Sequence, residues 1–185
     1  MNRVIAQMMA PLQRAVANMA ARATVVLVNS AGKMQRVQMR ILNGEAKSEL
    51  EHFEAYGITS HPLKGAEGVT LFFSGDRSHG VAILIGDRRY RLTGLAPGEV
   101  ALYDDLGQKV HLTRSGIVIN GAGLPVTITN TPKVRMETAL LEVTGEIEDK
   151  CDSDGRTMSS MRTVFNGHTH PGDSGGTTGS PNQGM

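Results

Sequence analysis

From Val110 onward the chain repeats one device: two apolar residues two positions apart, followed by a turn. The pairs are Val110/Leu112, Ile117/Ile119, Val126/Ile128, Val134/Met136 and Leu141/Val143, with first members seven, nine, eight and seven residues apart. In an extended strand residues i and i+2 share a face, so each pair reads as one short strand turning the same side inward. Gly116, Gly121, Gly123, Pro125, Asn130 and Pro132 punctuate the intervals, and a strand-plus-turn repeat of about eight residues is the pattern of a β-helix or β-solenoid. Beyond Tyr103 the only aromatic residue is Phe165, so a self-contained core lacks its large fillers there. Two-residue faces bury too little in one chain. Three chains wound together enclose the same residues on all sides and leave no open sheet edge, so the distal half is expected to be an intertwined trimeric β-helix.

The proximal half follows other rules. Val25 to Asn29 reads as a strand, and in Met34 to Leu42 the residues Met34, Arg36, Gln38 and Arg40 alternate with Gln35, Val37, Met39 and Ile41, the period of a half-buried strand. Val69 to Phe73 and Gly80 to Gly86 are β-branched and aromatic runs flanking the turn Ser74-Gly75-Asp76-Arg77, which reads as a hairpin. About five short strands between residues 24 and 93 suit an oligonucleotide/oligosaccharide-binding (OB) type barrel. Ahead of them, Ile5, Met9, Leu12, Val16 and Met19 recur at three- and four-residue intervals, as in a short amphipathic helix that docks on something. A signal peptide cleaved near Ala21-Arg22-Ala23 fits less well, because Gln7 and Pro11 interrupt the apolar stretch.

Several classes are excluded. Net charge is +1 and no Lys/Arg stripe interleaves with aromatics, so no nucleic-acid surface is expected. No run of eighteen apolar residues exists to span a membrane as a helix. The single cysteine, Cys151, cannot close an internal disulfide, so stability in a reducing cytoplasm is expected. Between Glu137 and Gly155 seven acids face one lysine; this reads as a solvated face, since Asp152-Ser153-Asp154-Gly155 lacks the earlier acid and distal Glu of an EF-hand.

The sharpest chemical signal is His168-Thr169-His170. In extended backbone both imidazoles point to one side and can converge on one ion. Two ligands leave a metal under-coordinated, but on a threefold axis three copies supply six nitrogens, a closed octahedral and therefore structural site. Gly167 and Pro171-Gly172 suit a tapered tip. A chance surface pair is the plain alternative. Gly172-Asp173-Ser174-Gly175-Gly176 looks like a serine-protease nucleophile motif, yet only eleven residues follow Ser174 and no cysteine framework is present, so protease chemistry is rejected. His52, His61, His79 and His111 show no catalytic spacing and read as surface or packing residues.

Gly86-Asp87-Arg88-Arg89-Tyr90-Arg91, then Gly94 to Asp105 with its Gly-Glu-Val-Ala-Leu-Tyr junction, then the repeat and the terminal His-Thr-His, together resemble the baseplate central spike of Mu-like contractile-tailed bacteriophages over nearly the whole chain. The resemblance implies an all-β fold with a short N-terminal helix: a docking helix over 1–23, an OB-type barrel over 24–95, a trimeric β-helix shaft over 96–160, and over 161–185 a metal-bound apex with a Gly-rich end. It implies one iron ion per trimer on His168 and His170 of each chain, although imidazole cages suit nickel or cobalt as well. Calcium and chloride near the apex also go with the resemblance; no residue here matches them. A structural protein made in the host cytoplasm and carried in the virion tail baseplate is expected, its N-terminal region on baseplate hub proteins and its apex against the host outer membrane, with no small-molecule substrate and no enzyme activity. The rivals are a receptor-binding or glycan-cleaving tailspike, which calls for aromatic grooves and paired carboxylates, and a metallohydrolase, for which only Asp173 lies near enough to serve as base.

Overall fold

The computed structural model describes residues 2–41 and 44–185. Met1 of the expected docking helix and Leu42 of the expected second strand lie outside the described residues. The chain divides into two compact units, Met1–Thr127 and Ile128–Met185.

The first unit opens with helix α1, Asn2–Ala17. Its apolar stripe is not buried: Ile5, Met9, Leu12 and Val16 remain exposed. The helix is tied to the barrel at its C-terminal end, where Arg77 donates to Asn18 Oδ1 (3.0 Å) and pairs with Glu45. Five strands follow: β1 Ala20–Asn29, β2 Arg36–Ile41, β3 Ala46–Phe53, β4 Glu67–Phe72 and β5 Gly80–Gly86. They form a closed barrel in the order β1-β2-β3-β5-β4, antiparallel except for the β3–β5 pair. Alternation sets the interior: in β2 Val37, Met39 and Ile41 point inward, and the core adds Ala23, Val25, Leu50, Ala66, Phe72 and Ala82. Thr70 is buried among them, its hydroxyl satisfied by the Ala21 carbonyl at 3.0 Å. Between β4 and β5 the expected turn is a short 3-10 segment, Phe73–Gly75, with Ser74 and Gly75 at positive φ. The Ala21-Arg22-Ala23 segment lies within β1, and Ala23 is in the core.

After the barrel the chain makes a three-stranded antiparallel sheet from β6 Val100–Tyr103, β7 Lys109–Leu112 and β8 Ile117–Asn120. The turn into β6 is organised by Glu99. Its carboxylate accepts from the backbone of Ala96 (2.9 Å) and of Arg114 (3.1 Å), and these hydrogen bonds hold it below the usual carboxylate range. Register places Val100 opposite Leu112, Leu102 opposite Val110, Val110 opposite Ile119 and Leu112 opposite Ile117. These six side chains therefore share one face. All six are exposed to some degree, Ile117 and Ile119 by 71% and 65%.

The expected strand pairs thus divide. Val110/Leu112 and Ile117/Ile119 lie in β7 and β8, whereas Val126/Ile128, Val134/Met136 and Leu141/Val143 lie outside any strand. A strand exists only where a neighbour completes its ladder, and one chain supplies no neighbour at these positions. A second departure from expectation is helix α2, Met158–Gly167, in a region expected to be shaft and apex. Thr157 caps it, its hydroxyl accepting from Ser160 N–H at 3.2 Å, and Met158, Met161 and Phe165 recur at helical spacing. The Ser159 hydrogen bonds to Glu146 hold that carboxyl below its ordinary range at the positive end of the helix.

Candidate metal centre

His168 is the residue at which α2 stops. Its backbone is extended, φ −72° and ψ 149°, and its N–H donates to the Phe165 carbonyl at 3.4 Å. The same carbonyl receives the ring: His168 Nδ1 lies 2.5 Å from Phe165 O. A carbonyl can only accept, so Nδ1 carries a proton, and Nε2 is the nitrogen left to act as a ligand whenever the ring is neutral. Oriented metal-ligating histidines carry this kind of bond on the nitrogen away from the ion. The ring also packs against Phe165, with centroids 5.3 Å apart.

His170 follows two residues later. It precedes Pro171, which disfavours helical backbone and keeps the segment extended. The His168 and His170 rings are 5.0 Å apart, centroid to centroid, and nearly perpendicular. The two candidate ligands are therefore neighbours in space. Among the described residues, no group of three or more His, Cys, Asp or Glu side chains in one chain could hold a metal ion. Two imidazoles supply only two donors, which leaves an ion under-coordinated and does not make a complete site within one chain.

Around the pair the chain folds back. Thr178 Oγ1 accepts from His170 N–H and Thr178 N–H donates to His170 O, both at 2.9 Å. The turn between them is closed by Gly172 N–H on Gly176 O at 2.7 Å and a Pro171–Thr177 bridge, with Gly175 at φ 81°. Asp173 and Ser174 sit within this turn. Thr178 and the Phe165 carbonyl were not among the sequence candidates. The Thr157 cap followed by apolar residues at helical spacing was the available signal for α2, and with it for the Phe165 carbonyl.

The other histidines have separate surroundings. His52 is buried in the barrel wall, Nδ1 2.9 Å from Gln35 Oε1 and 4.0 Å from Glu54 Oε1. His61 meets Ser30 Oγ at 2.8 Å, and His79 packs edge-on against Phe73. His111 Nε2 lies 3.3 Å from Glu99. Two of the four thus sit beside carboxylates, one across the turn that Glu99 organises, which linear spacing did not reveal. The acidic stretch is engaged within its own chain: Asp149 accepts from Arg156 N–H at 3.1 Å and Lys150 pairs with Asp154 at 3.6 Å.

The sequence profile of the family described as "Bacteriophage Mu Gp45, N-terminal" matches residues 22–89, which cover nearly all of the barrel. The chain is 33% identical to the "Baseplate puncturing device gp45" of Escherichia phage Mu, over 94% of this chain and 93% of that protein. It is 32% identical to the "Mu-like prophage FluMu protein gp45" of Haemophilus influenzae, over 90% and 80% respectively. A shorter match, 42% identical over 35% of this chain and 33% of the relative, is to the "Spike protein" of Escherichia phage P2.

Proposed function

The chain belongs to the Mu gp45 family of phage baseplate proteins, and from that premise we propose that it is the structural spike of a tail baseplate, acting as a homotrimer that punctures the host outer membrane. Its place is the virion, in the tail baseplate. The observation that carries the trimer is the uncovered apolar series. From Val100 to Ile147 the branched residues of β6, β7 and β8 and of the turns beyond them are exposed, Leu102, Val126, Ile128 and Leu140 each by 64% or more. The chain as a whole exposes 14960 Å², whereas a self-contained fold of 19.8 kDa exposes about 8,600 Å². Large exposed apolar tracts mark interaction surfaces, and a repeated one is satisfied by winding identical chains together.

In this reading residues 24–95 are an OB-type barrel, 96–160 a shared β-helix and 161–185 the apex. The uncovered stripe of α1 docks on baseplate hub proteins. His168 and His170 of three copies hold one iron ion, whose role is to cross-link the chains at the tip. Structural metal sites supply on the order of 10 kcal/mol, which offsets the scarcity of core at that end. The chain's own contribution is mechanical: interchain ladders stiffen the shaft, and a narrow tip concentrates the force of sheath contraction. No enzymatic step enters this role.

The test is the mass of the intact protein by light scattering, with and without a strong chelator, together with metal analysis. The expected results are three copies of 19.8 kDa, about 59 kDa, in both conditions, and one metal for every three chains. A monomer would overturn the assembly, and one metal per chain would overturn the shared site.

A further inference from the structure

We infer that the segment after the histidines is a strap that fixes the metal-binding posture of the pair, with Thr178 as the positioning residue for His170. This rests on the metal-bound apex read above and goes beyond it, since neither the pair nor its spacing specifies what holds the rings in place.

A ligating imidazole needs its backbone fixed as well as its ring. His168 has that from α2, through the Phe165 carbonyl on Nδ1. His170 lies beyond the helix, outside any strand, and is exposed. Its two backbone hydrogen-bonding groups are both taken by Thr178: the hydroxyl accepts from the His170 N–H, and the Thr178 N–H donates to the His170 carbonyl. The intervening residues close on themselves through the Gly172–Gly176 bond, with Gly175 in the left-handed region that a side chain disfavours. The far end of the tail is also attached. Met185 N–H donates to Asn166 Oδ1 at 2.9 Å, one residue from the carbonyl that orients His168. The strap thus begins at one ligand, returns to pin it, and ends beside the residue that orients the other.

Partners of this kind, which touch a ligand but not the metal, typically change metal affinity by about 10–100-fold. The test uses the full-length trimer loaded anaerobically with Fe(II), challenged with excess chelator, and followed by the rate of iron release. Thr178→Val keeps the shape and removes the acceptor; it is expected to release iron at least about tenfold faster, with the barrel's thermal unfolding unchanged. Thr178→Ser restores the hydroxyl and is expected to return to the unsubstituted rate. Release from the valine variant at the unsubstituted rate would overturn the strap, as would equally fast release from valine and serine variants. A His168→Ala/His170→Ala double variant separates the two levels of argument: if it still retains iron, the metal site itself is wrong, whereas an iron-free double variant beside a slow-releasing Thr178→Val leaves the site standing and removes only the strap.

Discussion

Replacing Ile128 by alanine discriminates between an apolar series that faces water and one that is shared. In the single chain Ile128 is 65% exposed, and a truncation at such a position changes stability by no more than about 0.5 kcal/mol. Full burial of an isoleucine side chain is worth about 1.5–3 kcal/mol. Covering the remaining 65% is then worth about 1–2 kcal/mol in each copy, or about 3–6 kcal/mol for three copies, most of it lost when only the β-carbon remains. At 1.4 kcal/mol per decade, the trimer dissociation constant should rise roughly 10²- to 10⁴-fold. Sedimentation equilibrium over a urea series measures this, with Thr127→Ala as the control, because in the proposed shared strand Thr127 would alternate to the side opposite Val126 and Ile128. Dissociation curves for Ile128→Ala that superimpose on those of the unsubstituted protein would refute threefold sharing at this position.

Three further outcomes follow from the barrel. Phe72→Ala, which empties one of the largest fully buried sites, should destabilise the chain by about 3–5 kcal/mol in chemical denaturation followed by circular dichroism. Gly80→Ala should cost about 1–3 kcal/mol, since its β-carbon would stand 2.5 Å from the Phe72 ring, and that cost should largely vanish when Phe72 is already alanine. Burial pushes the His52 imidazole below its ordinary value, while Glu54 pulls it upward. The folded state therefore binds fewer protons than the unfolded one, so His52 contributes stability that is complete above the unfolded value of about 6.5 and is lost as pH falls through the folded value. Urea midpoints at pH 7 and pH 5 should differ less in His52→Gln than in the unsubstituted protein; an unchanged difference would clear His52 of the role.

The barrel was legible where period and composition agreed. Val37, Met39 and Ile41 alternate with polar neighbours and are inward-facing in β2, and the β4–β5 hairpin lies where two β-branched runs flank a turn. Strand β3 was hidden because Ala46–Phe53 carries only Leu50 and His52 as fully inward residues, and Glu49 at φ 59° interrupts the alternation. The first residues of β1, Ala-Ala-Arg-Ala, have little strand propensity; pairing with β4 extends the strand through them. At the tip only the adjacency of His168 and His170 was legible, because nearness within three residues needs no tertiary information. Thr178 was not, since its contact with His170 depends on how a Gly-rich turn closes.

The closed barrel has a consequence for how the polypeptide matures. Residues 20–86 complete every strand pairing from one chain, so that half forms at a rate indifferent to dilution, and it leaves the ribosome first. On the proposed trimeric reading, the face of β6, β7 and β8 would be completed only when other copies arrive, so its formation would be of higher kinetic order and slow as protein becomes scarce. Between the two events lies an interval in which a finished proximal half carries an unfinished, adhesive distal half. Low expression lengthens that interval, and aggregation in it would come from the region beyond Val100.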